Sequence, residues 1–184
     1  MLTIPNMFLF YRLLAVPVFI VFYMFNWQVA TFVVFVTAAI SDFFDGYFAR
    51  KLNLVNDFGK LMDTMADKIL VAAAFICITS TGVVPAWIAI VIISREFLVT
   101  GLRSLAAAKG IVIAAGKSGK LKAVFQFVTV SVLLINFPPQ PFGNVLLYIT
   151  IALTIYSGAE YFYNSRHLFA SSAKENSKKE SLKK

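Results

Sequence analysis

Three long stretches of this chain, 13–41, 69–94 and 123–159, carry no Asp, Glu, Lys or Arg. Each exceeds the ~20 apolar residues that cross a bilayer core, and the first and third are too long for one crossing. Polar and Pro/Gly clusters stop apolar helices, so Asn26-Trp27-Gln28 divides the first stretch and residues 136–144 divide the third. Gly82 and Pro85 punctuate the middle one. The spacing predicts six spans, near 5–25, 28–50, 57–80, 85–108, 118–136 and 144–167. The expected fold class is therefore an all-α integral membrane protein with six transmembrane helices. Residues 1–168 form its helical domain, and 169–184 form a basic, disordered cytoplasmic tail.

Composition removes the other classes. With 59% apolar and only 14% charged residues, polar side chains could not cover a water-exposed surface. Cys77 is the single cysteine, which excludes a disulfide framework. The net charge of +8 would suit a nucleic-acid partner in a soluble protein, but here its placement reports topology, and no nucleic acid is expected. The breaks at 26–28, 80–85 and 137–143 lack Lys and Arg, whereas 50–57, 109–117 and the tail hold Arg50, Lys51, Lys109, Lys117 and five further lysines. The positive-inside rule puts both termini and the basic loops in the cytoplasm. With no Lys or Arg ahead of the first apolar run and no small-residue cleavage site, that run is expected to be retained as a helix, kinked at Pro17.

Acidic residues enter this pattern at one level. Asp42 and Asp45 lie near the cytoplasmic end of the second span, and Asp63 and Asp67 near the start of the third. At about 100° per residue, Asp42, Asp45, Gly46 and Ala49 share one helix face, and Gly59, Asp63 and Asp67 share another. The short connection 51–56 makes the two helices neighbours and brings four carboxylates together. Such a cluster needs protons, basic partners or divalent metal. Hard oxygen ligands suit two Mg²⁺ or Mn²⁺ ions, which retain open positions for substrate phosphates, and the small residues leave room for a diphosphate. The plainer reading makes the aspartates helix caps and partners of Arg50, Lys60 and Lys68 at a solvated edge.

Residues 42–67 match D-x2-D-G-x2-A-R-x8-G-x3-D-x3-D at each fixed position, through Asp42, Asp45, Gly46, Ala49, Arg50, Gly59, Asp63 and Asp67. In this the chain resembles the CDP-alcohol phosphotransferase family. Ile4-Pro5-Asn6 with Arg12, Ser94-Arg95-Glu96-Phe97 through Arg103, 116–120 and Gly158-Ala159-Glu160-Tyr161 are similar to the bacterial branch that makes phosphatidylglycerophosphate. The resemblance implies a homodimeric enzyme of the bacterial cytoplasmic membrane, its active site facing the cytoplasm. It would transfer a phosphatidyl group from CDP-diacylglycerol to sn-glycerol 3-phosphate and release CMP. It further implies that Asp42, Asp45, Asp63 and Asp67 hold two divalent ions, that Asp67 accepts the proton, and that Asn6, Gly46, Ala49, Arg50 and Gly59 seat the nucleotide.

An acceptor that is a small dianion requires cations beyond the metal site. Arg95, Glu96 and Arg103 fall on one stripe of the fourth span that is expected to face the bundle interior, and Lys120 lies one turn into the fifth. The competing account has Arg95 and Glu96 satisfy each other and Lys117, Lys120 and Lys122 mark the membrane boundary. Inositol phosphate, serine or phosphatidylglycerol as acceptor, a prenyltransferase, and a non-enzymatic membrane cation transporter are the alternative functions. The chain is short for the prenyltransferase, and a transporter's carboxylates belong nearer the bilayer midplane.

Overall fold

A computed structural model describes the backbone at 4–52, 57–108, 111, 116–135 and 140–181, and side chains at 10–41, 65–66, 68–107, 111, 116, 118–135 and 141–166. The described chain is all-helical: α1 Ile4–Met24, α2 Gln28–Leu52, α3 Asp57–Ser80, α4 Ala86–Ala108, α5 Lys117–Ile135 and α6 Gln140–Ser181.

The helix ends follow local chemistry. Asn26 adopts a left-handed conformation, φ 57°, at the end of α1. There its N–H donates to the Tyr23 carbonyl (3.0 Å) and the Trp27 N–H to that of Phe22 (3.0 Å), a Schellman-type closure. Gly82, φ 77°, plays the corresponding part after α3, its N–H donating to the Thr79 carbonyl at 3.0 Å. Pro17 sits within α1, which continues to Met24. α6 differs from the expected span at both ends. It starts earlier, because Pro141 is tolerated in a first helical turn. It also continues through the segment read as a tail as far as Ser181, where Ala173, Lys174, Glu175, Lys178, Lys179 and Glu180 are strong helix formers.

α1 packs against α2 and α3, α5 against α6, α2 and α3, and α4 against α3 and α6; α2 also touches α3. The apolar core gathers Phe19, Phe35, Ala74, Phe75, Ile78, Ile88, Ile92, Val130 and Leu147. Phe35 links α1 to α5, with ring centroids 6.1 Å from Phe19 and 5.4 Å from Phe127. Ala38, Ala66, Ala74 and Ala106 are buried and let the backbones approach. Tyr11 donates to Thr37 (2.9 Å), and Tyr23 pairs with Thr81 (3.0 Å), which sets α1 in register with α2 and α3.

The radial distribution is that of a lipid-solvated bundle. Arg12, Thr31, Lys122, Gln126, Thr129, Thr150, Thr154 and Ser157 are buried, whereas Leu14, Met24, Val29, Ile90, Val124 and Tyr156 are exposed. Hydrocarbon solvent favours this polar-inside order. Two helical stretches are long and apolar enough to cross a membrane, Ser118–Ile135 and Pro141–Arg166. The apolar parts of α1, α2 and α3 among the described residues, Phe10–Met24, Gln28–Ser41 and Lys68–Ser80, are shorter.

Candidate active site

The buried polar groups converge where α4, α5 and α6 meet. Arg95, about two and a half turns into α4, is held on two sides. Its Nη2 donates to Ser157 Oγ of α6 at 2.9 Å, and its Nη1 donates to Glu96 Oε1 at 3.3 Å. Lys122 of α5 forms an ion pair with the same Glu96 oxygen. Glu96 is fixed from its backbone too, since Thr100 Oγ1 donates to its carbonyl at 2.7 Å. Lys122 is only 2% exposed. Its aliphatic stem and charge both lie inside the bundle, where an unpaired ammonium would be very costly.

The α6 wall of this cluster is shaped by a missing side chain. A β-carbon on Gly158 would stand 3.2 Å from Arg95 Cγ, so the glycine lets the arginine lie flat against the helix. One turn on, Tyr161 is close enough to Arg95 and Arg103 for both guanidinium groups to act on its hydroxyl. Arg95 Nε, Tyr161 OH and Glu160 Oε2 are buried with no hydrogen-bond partner among the described residues. Below them the α5–α6 seam is closed by a hydroxyl pair, Thr129 Oγ1 to Thr150 Oγ1 at 2.7 Å. Of these, Arg95 Nε and Tyr161 OH are donors that suit an anionic ligand, whereas Glu160 Oε2 is an acceptor.

The cluster borders the aspartate helix. Lys68 of α3, the residue after Asp67, acts electrostatically on Lys122. Asp42 and Asp45 fall about 15 and 10 Å from the end of α2, and Asp63 and Asp67 about 9 and 15 Å from the start of α3, so the helices carry them at matching levels. Arg12, 0% exposed, lies about 12 Å from the start of α1, on the face formed with Ala15, Val16 and Phe19. The side chains of Asn6, Asp42, Asp45, Gly46, Ala49, Arg50, Gly59, Asp63 and Asp67 lie outside the described residues. Among the described residues no group of three or more His, Cys, Asp or Glu stands together as a metal site. The four carboxylates carried at one level by α2 and α3 offer hard oxygen donors of the kind that suit divalent cations.

Of the three cations assigned to the acceptor, Arg95 is in the cluster, while Arg103 and Lys120 are exposed. Among the described residues the buried lysine is Lys122. Sequence reasoning placed Lys122 only at the membrane boundary and passed over Ser157 and Gln126, although a signal existed. Lys122, Gln126 and Thr129 recur at helical spacing on α5, as do Thr150, Thr154, Ser157 and Tyr161 on α6, and all but the partly buried Tyr161 are buried.

A family model described as CDP-alcohol phosphatidyltransferase matches residues 2–156. A Bacillus subtilis (strain 168) protein named CDP-diacylglycerol--glycerol-3-phosphate 3-phosphatidyltransferase is 41% identical over 182 residues, covering 88% of this chain and 94% of its own length. A Rickettsia typhi protein of that name is 36% identical over 171 residues, covering 88% and 96%. An Arabidopsis thaliana protein, named as the second enzyme of that title, is 33% identical over 183 residues, covering 87% and 78%. The family model spans the helices that carry the aspartates and, on α4 and α5, Arg95, Glu96 and Lys122, and the chain belongs to the CDP-alcohol phosphatidyltransferase family.

Proposed function

We propose that this protein transfers the phosphatidyl group of CDP-diacylglycerol to sn-glycerol 3-phosphate, giving phosphatidylglycerophosphate and CMP. The observation that carries the reading is near full-length similarity to proteins named for that reaction, the Bacillus subtilis one at 41% identity. The Arg95, Lys122 and Ser157 cluster adds a chemical reason for a phosphorylated acceptor, because neutral alcohols offer nothing for two buried cations to bind.

In the reaction, a glycerol hydroxyl oxygen bonds to the phosphorus next to diacylglycerol, the bond from that phosphorus to the CMP oxygen breaks, and CMP leaves with the electron pair. Asp67 takes the hydroxyl proton. Divalent Mg²⁺ or Mn²⁺ at Asp42, Asp45, Asp63 and Asp67 supplies charge neutralisation for the diphosphate. Asn6, Gly46, Ala49, Arg50 and Gly59 seat the cytidine nucleotide, the glycines and alanine by leaving the helix backbone open. Arg95, held by Ser157, orients the acceptor phosphate, with Lys122 and the more exposed Arg103 adding positive charge; Lys120 at the pocket mouth draws the dianion in.

All six helices span the bacterial cytoplasmic membrane in this reading, with Arg50, Lys51, Lys109 and Lys117 on the cytoplasmic side, and the chain works as a homodimer. The tail after 168 lies at the cytoplasmic surface among anionic headgroups. The test is CMP release by purified protein given CDP-diacylglycerol, Mg²⁺ or Mn²⁺ and, separately, sn-glycerol 3-phosphate, serine, inositol phosphate or phosphatidylglycerol. Release with glycerol phosphate alone is expected. Preference for any other alcohol rejects the assignment.

A further inference from the structure

A single carboxylate oxygen, Glu96 Oε1, meets both Arg95 Nη1 and Lys122 Nζ. Lys122 faces repulsion from Arg95 and from Lys68, and Glu96 is a negative charge in contact with both Lys122 and Arg95. Arg95 does not depend on Glu96 for its direction, because Ser157 holds Nη2. Its Nε, buried beside them, has no hydrogen-bond acceptor among the described residues. A carboxylate thus stands where an anion is needed, yet leaves one donor unused that a phosphate, with more oxygens, would engage.

We propose that Glu96 is a placeholder anion, its carboxylate occupying in the unliganded protein the place that the acceptor's phosphate takes, so that the phosphate must displace it from Lys122 and Arg95 before the site is filled. This rests on the reading of the Arg95 cluster as the acceptor site. In the empty state Glu96 keeps two buried cations tolerable. When glycerol phosphate enters, its dianion takes over the ammonium and guanidinium, and Ser157 keeps the arginine aimed. The exchange makes Glu96 a specificity-determining residue. A dianion offsets the loss of the Glu96 contacts, whereas an alcohol without a phosphate leaves the carboxylate in place, so serine-like acceptors are refused before chemistry.

The experiment compares wild type with Glu96→Gln in lipid nanodiscs, reading thermal unfolding against added inorganic phosphate and sn-glycerol 3-phosphate, together with KM for both substrates. Both anions should stabilise wild type. Glu96→Gln should unfold at lower temperature without anion, gain more from phosphate, and show half-saturation at about three- to ten-fold lower phosphate, since no internal competitor holds the site closed. Its KM for CDP-diacylglycerol should be unchanged. If Glu96→Gln binds phosphate no more tightly than a responsive wild type, the placeholder is overturned and the acceptor site stands. If neither protein responds to phosphate and Arg95→Gln leaves the KM for glycerol phosphate unchanged, the acceptor site itself fails. Should Glu96→Gln not fold, Glu96→Asp, which withdraws the charge by one methylene, should also tighten phosphate binding; weaker or equal binding overturns the proposal.

Discussion

Arg95 lies against Gly158 so closely that a β-carbon on the glycine would stand 3.2 Å from Cγ of the arginine. The α4–α6 contact and the aim of the guanidinium are therefore one feature. Gly158→Ala should push Arg95 away from Ser157 by a few tenths of an ångström. The expected outcome is a rise of about ten-fold in KM for glycerol 3-phosphate with little change for CDP-diacylglycerol, read from steady-state kinetics with each substrate varied in turn.

Arg95→Gln and Arg103→Gln should both raise the KM for glycerol 3-phosphate more than that for CDP-diacylglycerol. The half-buried Arg95 should matter more than the exposed Arg103, because a charge–phosphate contact away from water is weakened less by solvent and salt. Equal effects on both substrates would count against acceptor binding.

Lys120 and Lys122 lie two residues apart yet differ in surroundings, one exposed and one buried against Glu96. Lys122→Gln should cost roughly ten-fold or more in kcat/KM, and Lys120→Gln about two-fold, the latter loss vanishing at high salt. A salt titration of both variants checks this.

Asp67→Asn should reduce CMP release by about a hundred-fold or more while leaving a folded membrane protein, as judged by unchanged helical content and elution. Undiminished turnover would reject Asp67 as the proton acceptor.

Chelation should abolish CMP release, and added Mg²⁺ or Mn²⁺ should restore it. Variants with Asn at Asp42 or Asp63 should need more metal for half-maximal activity, the reading that separates lost ligands from lost fold.

Much of this arrangement was legible in the sequence, for reasons that differ by element. The breaks after α1 and α3 were readable because Asn26 and Gly82 are residue types that tolerate a left-handed turn. The helices bearing Asp42, Asp45, Asp63 and Asp67 were readable because charge in an apolar run stands out and the spacing is fixed by the helix. Lys122 was not, because a lysine near the end of a span ordinarily extends to the headgroups, and only its partner on α4 draws it inward. The length of α6 was also missed, since a polar composition says where a segment is solvated and not whether it stays helical.

The inward placement of Thr129, Thr150 and Ser157 and the outward placement of Leu14, Ile90 and Tyr156 leave the helices with little hydrophobic force drawing them together in lipid. Each helix keeps its own backbone bonds wherever it is, but their mutual registration hangs on close alanine contacts, ring packing at Phe35 and a few polar pairs such as Tyr23 with Thr81 and Arg95 with Ser157. Harsh extraction would thus scatter intact rods long before it unwound any of them.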